Sequence, residues 1–92
     1  MAKLSSSEIK AALKRVSKWS KRGVTISRTY KFKDFPAAIR FVNKAARIAE
    51  KAWHHPDIDI RWNKVALTLT THDEGGLTAK DFDLAWKFDR LA

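Results

Sequence analysis

The sequence predicts an α+β fold in which one four-stranded antiparallel sheet packs its helices on a single face. Three segments open with helix-capping residues and continue with apolar residues at helical spacing. Four short segments alternate apolar and polar residues, as half-buried strands do. These segments follow the order α-β-β-α-β-β-α, and residues 1–92 suffice for one domain of this class.

The first predicted helix spans residues 6–17. Ser5 and Glu8 have the spacing of a capping box, in which each side chain bonds the backbone N–H near the other. The segment is basic, rich in serine and nearly free of acidic residues, so a mitochondrial transit peptide is the alternative. A cleaved presequence needs no such start signal, and we therefore assign the segment to the fold.

A hairpin that turns at residues 21–23 is predicted next, with Trp19 opening its first strand. Alternate apolar positions of the second strand are occupied by Val24, Ile26, Tyr30 and Phe32. Arg28 interrupts this apolar face, and the residues alone leave its role open.

The second predicted helix spans residues 36–52, with Asp34 as its N-cap and Pro36 in its first turn. It carries a basic stripe, which consists of Arg40, Lys44, Arg47 and Lys51. Pro56 disfavours helical geometry at His55, so we expect the helix to end before it.

A second hairpin follows, with a turn at Asn63 and Lys64. Its first strand runs to Trp62 and its return strand to His72, where residues 73–76 break the pattern. Thr78 and Asp81 repeat the capping spacing and open the last helix. The residues that we expect this helix to bury are Phe82, Ala85, Trp86 and Leu91.

Composition limits the classes of function. The chain has no cysteine, which excludes disulfides and thiolate catalysis, and no apolar run near the ~18 residues of a membrane span. We expect a cytoplasmic protein without membrane contact. The net charge is +9, of which residues 1–51 contribute +11 and residues 52–92 contribute −2. A basic half suits nucleic acid, a membrane surface or an acidic partner, but we favour solubility charge on exposed helix faces.

All three histidines lie between two turn signals, at His54, His55 and His72. Imidazole titrates near neutral pH, with an unperturbed pKa of about 6.5, and is suited to proton transfer. Adjacent side chains in an extended segment point in opposite directions, so His54 and His55 should serve different tasks. The second hairpin should return His72 to the histidine pair. An acid/base site is one interpretation, and capping or packing at strand ends is the other.

Two further interpretations concern the same segment. A zinc site is disfavoured because adjacent histidines do not readily share a metal, and because cysteine and the HExxH motif are absent. Trp53 and Trp62 flank the histidine segment and would suit stacking on a flat heterocycle, although an aromatic core is their alternative fate.

One spacing pattern joins these residues, and it consists of Glu50, His54-His55-Pro56, Trp62, His72 and Asp81. The pattern resembles the pterin-4a-carbinolamine dehydratases. In that family an acidic residue precedes His-His/Asn-Pro with three residues in between. An aromatic, a His or Trp, and an Asp follow at distances that this sequence also matches. Residues 33–35, 71–73 and 75–78 also look like the family. The resemblance covers essentially the whole chain, from the first helix through the last. The sequence departs from the family in two respects. Trp53 is bulkier than the residue expected before the histidine pair, and the amino-terminal half is unusually basic.

The resemblance implies dehydration of 4a-hydroxytetrahydropterin to quinonoid dihydropterin, in tetrahydrobiopterin recycling, with no cofactor and no metal. It implies that His54 and His72 form the acid/base pair and that His55 positions the substrate or acts as an auxiliary acid. The implied substrate-binding residues are Asp57, Trp62 and Asp81. Family members are similar in forming tetramers as dimers of dimers. The non-catalytic alternative is a dimerisation cofactor for a transcription factor, or a module that binds nucleic acid through the basic stripe.

Overall fold

The computed structural model describes residues 2–92, and its element order is the predicted one. The helices are α1 (Ser6–Leu13), α2 (Phe35–Ala52) and α3 (Ala79–Leu91). The strands are β1 (Ser20–Arg22), β2 (Thr25–Lys31), β3 (Asp57–Arg61) and β4 (Lys64–Leu69), and two single 3₁₀ turns cover Lys14–Val16 and His72–Glu74. In this described part, no helix has the length and apolar character that crossing a membrane would require.

The sheet is antiparallel throughout, with the strand order β1-β2-β4-β3. The two central strands, β2 and β4, pair so that Ile26 lies opposite Leu69 and Tyr30 lies opposite Val65. These alternate residues are buried against the apolar faces of α2 and α3, which include Phe41 and Phe88. The predicted class, a four-stranded antiparallel sheet with helices, is therefore confirmed.

The three predicted caps are all present. Ser5 and Glu8 form the capping box of α1, Asp34 accepts from the N–H of Ala37 at the start of α2, and Thr78 caps α3. Hydrogen bonds from the Ser5 backbone N–H and side chain lower the pKa of Glu8. These signals act within four residues of one another, which explains why sequence alone locates them.

Two boundaries of the second hairpin differ from the prediction. The second hairpin turns at Trp62 and Asn63, because Arg61 pairs directly with Lys64. The Asn63 side chain donates to the Phe32 carbonyl at 2.8 Å, and this long-range bond fixes the turn one residue earlier. His72 does not end a strand, since β4 stops at Leu69 and His72 begins a 3₁₀ turn.

Trp86 is not part of the core that α3 buries. The residue is 39% exposed, and the guanidinium of Arg90 lies 4.8 Å from its ring centroid. Residues four apart on a helix are neighbours, so the cation covers one indole face at the surface. Phe82 and Ala85 are buried as expected, and Leu91 is partly buried against the core.

Arg28, whose role the sequence left open, belongs to a cluster around Asp89 of α3. One Asp89 oxygen accepts from the Arg28 guanidinium at 2.8 Å, from the Trp19 indole N–H at 2.9 Å, and from the Tyr30 hydroxyl. Burial, and then the bond to Asp89, raise the pKa of the Tyr30 phenol above its usual range, so it stays a donor. The cluster joins α3 to the sheet.

Replacing Asp89 by alanine is expected to lower the free energy of unfolding by about 2–3 kcal/mol, because three partly buried donors lose their acceptor. For a chain of this size the melting temperature should fall by roughly 10 °C. The matched control is Asp83→Ala, which removes an exposed pair with Arg15 at 4.0 Å and should change stability by less than about 0.5 kcal/mol. Equal melting temperatures for both variants would contradict a stabilising cluster.

Candidate active site

The site begins where α2 ends. The N–H groups of Trp53 and His54 donate to the carbonyls of Glu50 and Ala49, both at 3.1 Å, in the pattern of a Schellman turn. This turn needs a left-handed residue, and Trp53 fills the position with φ 53° and ψ 41°. Glycine is the usual residue at this position, and the left-handed conformation costs a residue with a side chain roughly 1–2 kcal/mol. The turn sends the chain back toward α3, so the His54 ring meets the start of that helix.

His54 is held by a buried carboxylate. Its Nε2 lies 2.6 Å from Oδ1 of Asp81, whose side chain has no exposed surface. Oδ2 of Asp81 accepts from the Thr71 hydroxyl at 2.8 Å and from the Thr78 N–H at 2.9 Å. A carboxylate in this network is an acceptor, so Nε2 of His54 carries the hydrogen. Within residues 2–92, Nδ1 then has no hydrogen-bond partner, and in the neutral ring it carries the lone pair.

His55 is held differently. Its Nε2 lies 2.8 Å from a carboxylate oxygen of Glu50, and both side chains are exposed. The Trp53 ring meets the His55 ring in a T-shaped contact, with centroids 5.6 Å apart. The two adjacent imidazoles therefore pair with different carboxylates. Glu50 belongs to the sequence pattern, but it is not among the catalytic or substrate-binding residues that the resemblance implies.

The three histidines line one cleft of about 310 Å³. The other residues that line it are Trp53, Thr70, Thr71, Asp73 and Lys80. The His72 ring is exposed and forms no hydrogen bond to any other described residue. A larger groove, about 440 Å³, lies on the sheet beside β1 and β2, but its lining contains neither histidine nor carboxylate. The histidine cleft is therefore the better candidate for acid/base chemistry.

Three predicted site residues do not line this cleft. Asp81 is buried but bonds His54, whereas the other two lie apart from the histidines. Trp62 occupies the turn between β3 and β4 and is 71% exposed. Asp57 is exposed at the start of β3 and makes no side-chain hydrogen bond or ion pair within the described chain. A single copy of the chain thus brings Asp81 and the histidines together, and leaves Asp57 and Trp62 apart from them.

Four cleft residues had no functional prediction. They are Thr70, Thr71, Asp73 and Lys80. Thr71 and Asp73 flank His72 within a segment that resembles the family, and Lys80 directly precedes Asp81; these were the sequence signals available for them. Across residues 2–92, no three acidic or histidine side chains lie close enough to hold a metal ion.

The arrangement suits proton transfer to and from a bound small molecule. Asp81 holds Nε2 of His54, so the other ring nitrogen, Nδ1, is the one that can face a ligand. His72 supplies a second imidazole at the same cleft. An acid and a base that act together at two atoms of one substrate need such a pair.

Comparison with known proteins agrees with the sequence pattern. The profile of the pterin 4 alpha carbinolamine dehydratase family matches residues 2–91. A protein of Roseiflexus sp. (strain RS-1) is 53% identical over 89 residues, which are 97% of this chain and 96% of that protein. One of Picosynechococcus sp. is 56% identical over 89 residues, 97% of each chain. Both are provisionally named pterin-4-alpha-carbinolamine dehydratases.

Solved structures show the same relationship. The crystal structure of a transcriptional coactivator/pterin dehydratase from Brucella melitensis matches with a TM-score of 0.94 and 40% identity over 98% of each chain. A pterin dehydratase-like RuBisCO assembly factor of the alpha-carboxysome is 20% identical, with a TM-score of 0.68 over 80% of this chain and 86% of that one, and shares the fold. Since the family profile and the relatives cover nearly the whole chain, the protein belongs to the pterin-4-alpha-carbinolamine dehydratase family.

Proposed function

We propose that this protein dehydrates 4a-hydroxytetrahydropterin to quinonoid dihydropterin by histidine acid/base catalysis. The 4a-hydroxyl takes a proton and leaves as water, while the proton on N5 is removed and its electron pair forms the C4a=N5 double bond. The observation that carries this proposal is the His54–Asp81 pair, which fixes one imidazole nitrogen and leaves the other without a partner among residues 2–92. No oxidation or reduction takes place in this step.

His54 and His72 are the proposed acid/base pair. Each positioned proton transfer can contribute about 10²–10⁴-fold. We leave acid and base unassigned between them, because interacting imidazoles titrate as a set. His55, held by Glu50, is the proposed positioning group or auxiliary acid.

Asp57 and Trp62 remain proposed substrate contacts only within an assembly, because neither lines the cleft of a single copy. β3 is an edge strand that pairs with β4 alone, and its Ile58 and Ile60 are exposed. Exposed apolar edge strands tend to pair with other chains. We include a homotetramer, a dimer of dimers, in the proposal, with β3 as one contact. Sedimentation should show an oligomer at micromolar concentration, and a stable monomer would overturn this assembly.

The direct test is an assay on 4a-hydroxytetrahydropterin. The protein should accelerate loss of the carbinolamine above its spontaneous rate, in proportion to the protein concentration. An unchanged rate would remove the dehydratase proposal. Cytoplasmic recycling of tetrahydrobiopterin belongs to the same proposal, and cell fractionation together with the choice of pterin tests it.

A second candidate function is a non-catalytic binding module, and the basic stripe of α2 favours it. All four of its side chains are exposed, and none forms a close ion pair within the described chain. A transcription factor or nucleic acid is the proposed partner of this alternative. Direct binding to nucleic acid should weaken steeply with salt, so salt-insensitive or absent binding counts against it.

A further inference from the structure

Trp53 has two features that do not stabilise the fold of its own chain. It is the most exposed large apolar residue of the described chain, at 74%. It also adopts a left-handed backbone conformation, with φ 53°, at a position where glycine or asparagine is the usual residue. The ring adds nothing to the core, since its one aromatic neighbour is the exposed His55. A residue that is strained and unburied in its own chain suggests a role toward a ligand.

The position of Trp53 indicates what such a ligand would be. The residue directly precedes His54 and lines the cleft that holds the three histidines. The rest of that lining is polar, so the indole is the one large apolar surface available in it. The contact with His55 is T-shaped, with an angle of 72° between the rings, so neither ring covers the face of the other by stacking. The indole can therefore receive a flat ring.

We propose that Trp53 stacks on the planar part of the substrate's bicyclic ring and sets the affinity of the cleft for a reduced pterin. This inference rests on the proposed dehydratase function and adds a binding residue to it. Aromatic stacking on a heterocyclic base depends on area and overlap more than on hydrogen bonds. Trp53 thus holds the ring plane, while the histidines act on its C4a and N5 atoms. The Glu50–His55 pair supports the indole from the side.

The test is the variant Trp53→Asn, because asparagine tolerates the left-handed conformation and preserves the turn that positions His54. KM for 4a-hydroxytetrahydropterin should rise about 10-fold while kcat changes less than about twofold, as loss of uniform binding predicts. Trp53→Phe keeps an aromatic face and should keep KM within about threefold of the original. The melting temperature of Trp53→Asn should not fall, since the strain is relieved.

A binding experiment separates this inference from catalysis. The probe is 7,8-dihydrobiopterin, followed by quenching of tryptophan fluorescence. Quenching should decrease in Trp53→Asn, where only the proposed contact with Trp62 remains. It should be kept in the matched control Trp86→Gln, which removes another exposed tryptophan that lies outside the cleft.

The outcomes are distinct. If the unmodified protein dehydrates its substrate but KM and quenching do not depend on Trp53, the stacking proposal is overturned and the dehydratase proposal stands. If kcat falls with KM unchanged, Trp53 acts only through the turn that places His54, and stacking is again overturned. If the protein binds the probe through Trp53 but shows no dehydration, the stacking proposal stands and the dehydratase proposal fails.

Discussion

Replacing His54 or His72 by alanine is expected to lower kcat/KM for 4a-hydroxytetrahydropterin by at least about 10²-fold, the scale of a lost acid or base. Each change removes one of the two imidazoles assigned to proton transfer at the cleft. The His72 side chain makes no hydrogen bond with the described chain, so its loss should leave stability within about 0.5 kcal/mol. His54→Ala leaves Asp81 without one of its partners and should cost about 1–3 kcal/mol of stability.

The measurement is the steady-state rate of carbinolamine loss, with circular dichroism to confirm that each variant is folded. The double variant provides a sharper check. If the two histidines act together, the double variant should have a kcat/KM only slightly lower than that of the less active single variant. Near-normal rates in both single variants would show that the proposed mechanism is wrong.

The fold was predictable from sequence because its signals are local. The caps at Ser5, Asp34 and Thr78 act within one helical turn, and the alternation in β2 and β4 is a property of neighbouring residues. The second turn was misplaced by one residue because the Asn63 side chain reaches Phe32, a contact 31 residues away. The capped start of α3 was predicted, but the exposure of Trp86 depends on how α3 packs on the rest of the chain, which residue spacing does not give.

The site was predictable in part. A hairpin after His55 gives a physical reason for His72 to return to the histidine pair, and the structure places all three at one cleft. The contact between His54 and Asp81 spans 27 residues and depends on how α2 and α3 pack, so residue spacing cannot derive it. Asp81 entered the prediction through the family resemblance alone. Asp57 entered the same way, whereas Trp62 was also a stacking candidate because it flanks the histidine segment, and a single chain does not explain either residue.

The turn at Trp53 shows a different limit. Glycine is the sequence signal for a left-handed helix end, and tryptophan carries no such signal. The expectation that α2 ends before Pro56 was right. Residue spacing did not show, however, that the Trp53 ring would be exposed and would line the cleft with the histidines. Strain of this kind appears only when the backbone is known.

Replacing Asp81 by asparagine is expected to lower kcat/KM by about 10²–10⁴-fold while the fold survives, because this change reverses one hydrogen bond. The asparagine oxygen can still accept from Thr71 and Thr78, which now donate to Oδ2. Its amide nitrogen would face Nε2 of His54 as a donor. Nε2 must then accept, so the neutral ring carries its hydrogen on Nδ1 and loses the free lone pair proposed for catalysis.

Two measurements distinguish this effect from a merely structural one. Nitrogen NMR of the His54 ring should show the hydrogen moved from Nε2 to Nδ1, and the melting temperature should fall by no more than about 8 °C, which corresponds to about 1 kcal/mol. Thr71→Val is the matched control, because it removes a donor to Asp81 but leaves the carboxylate beside His54. That variant should keep the tautomer and most of the rate. A fully active Asp81→Asn protein would mean that Asp81 serves only to cap α3, and that catalysis does not depend on the tautomer of His54.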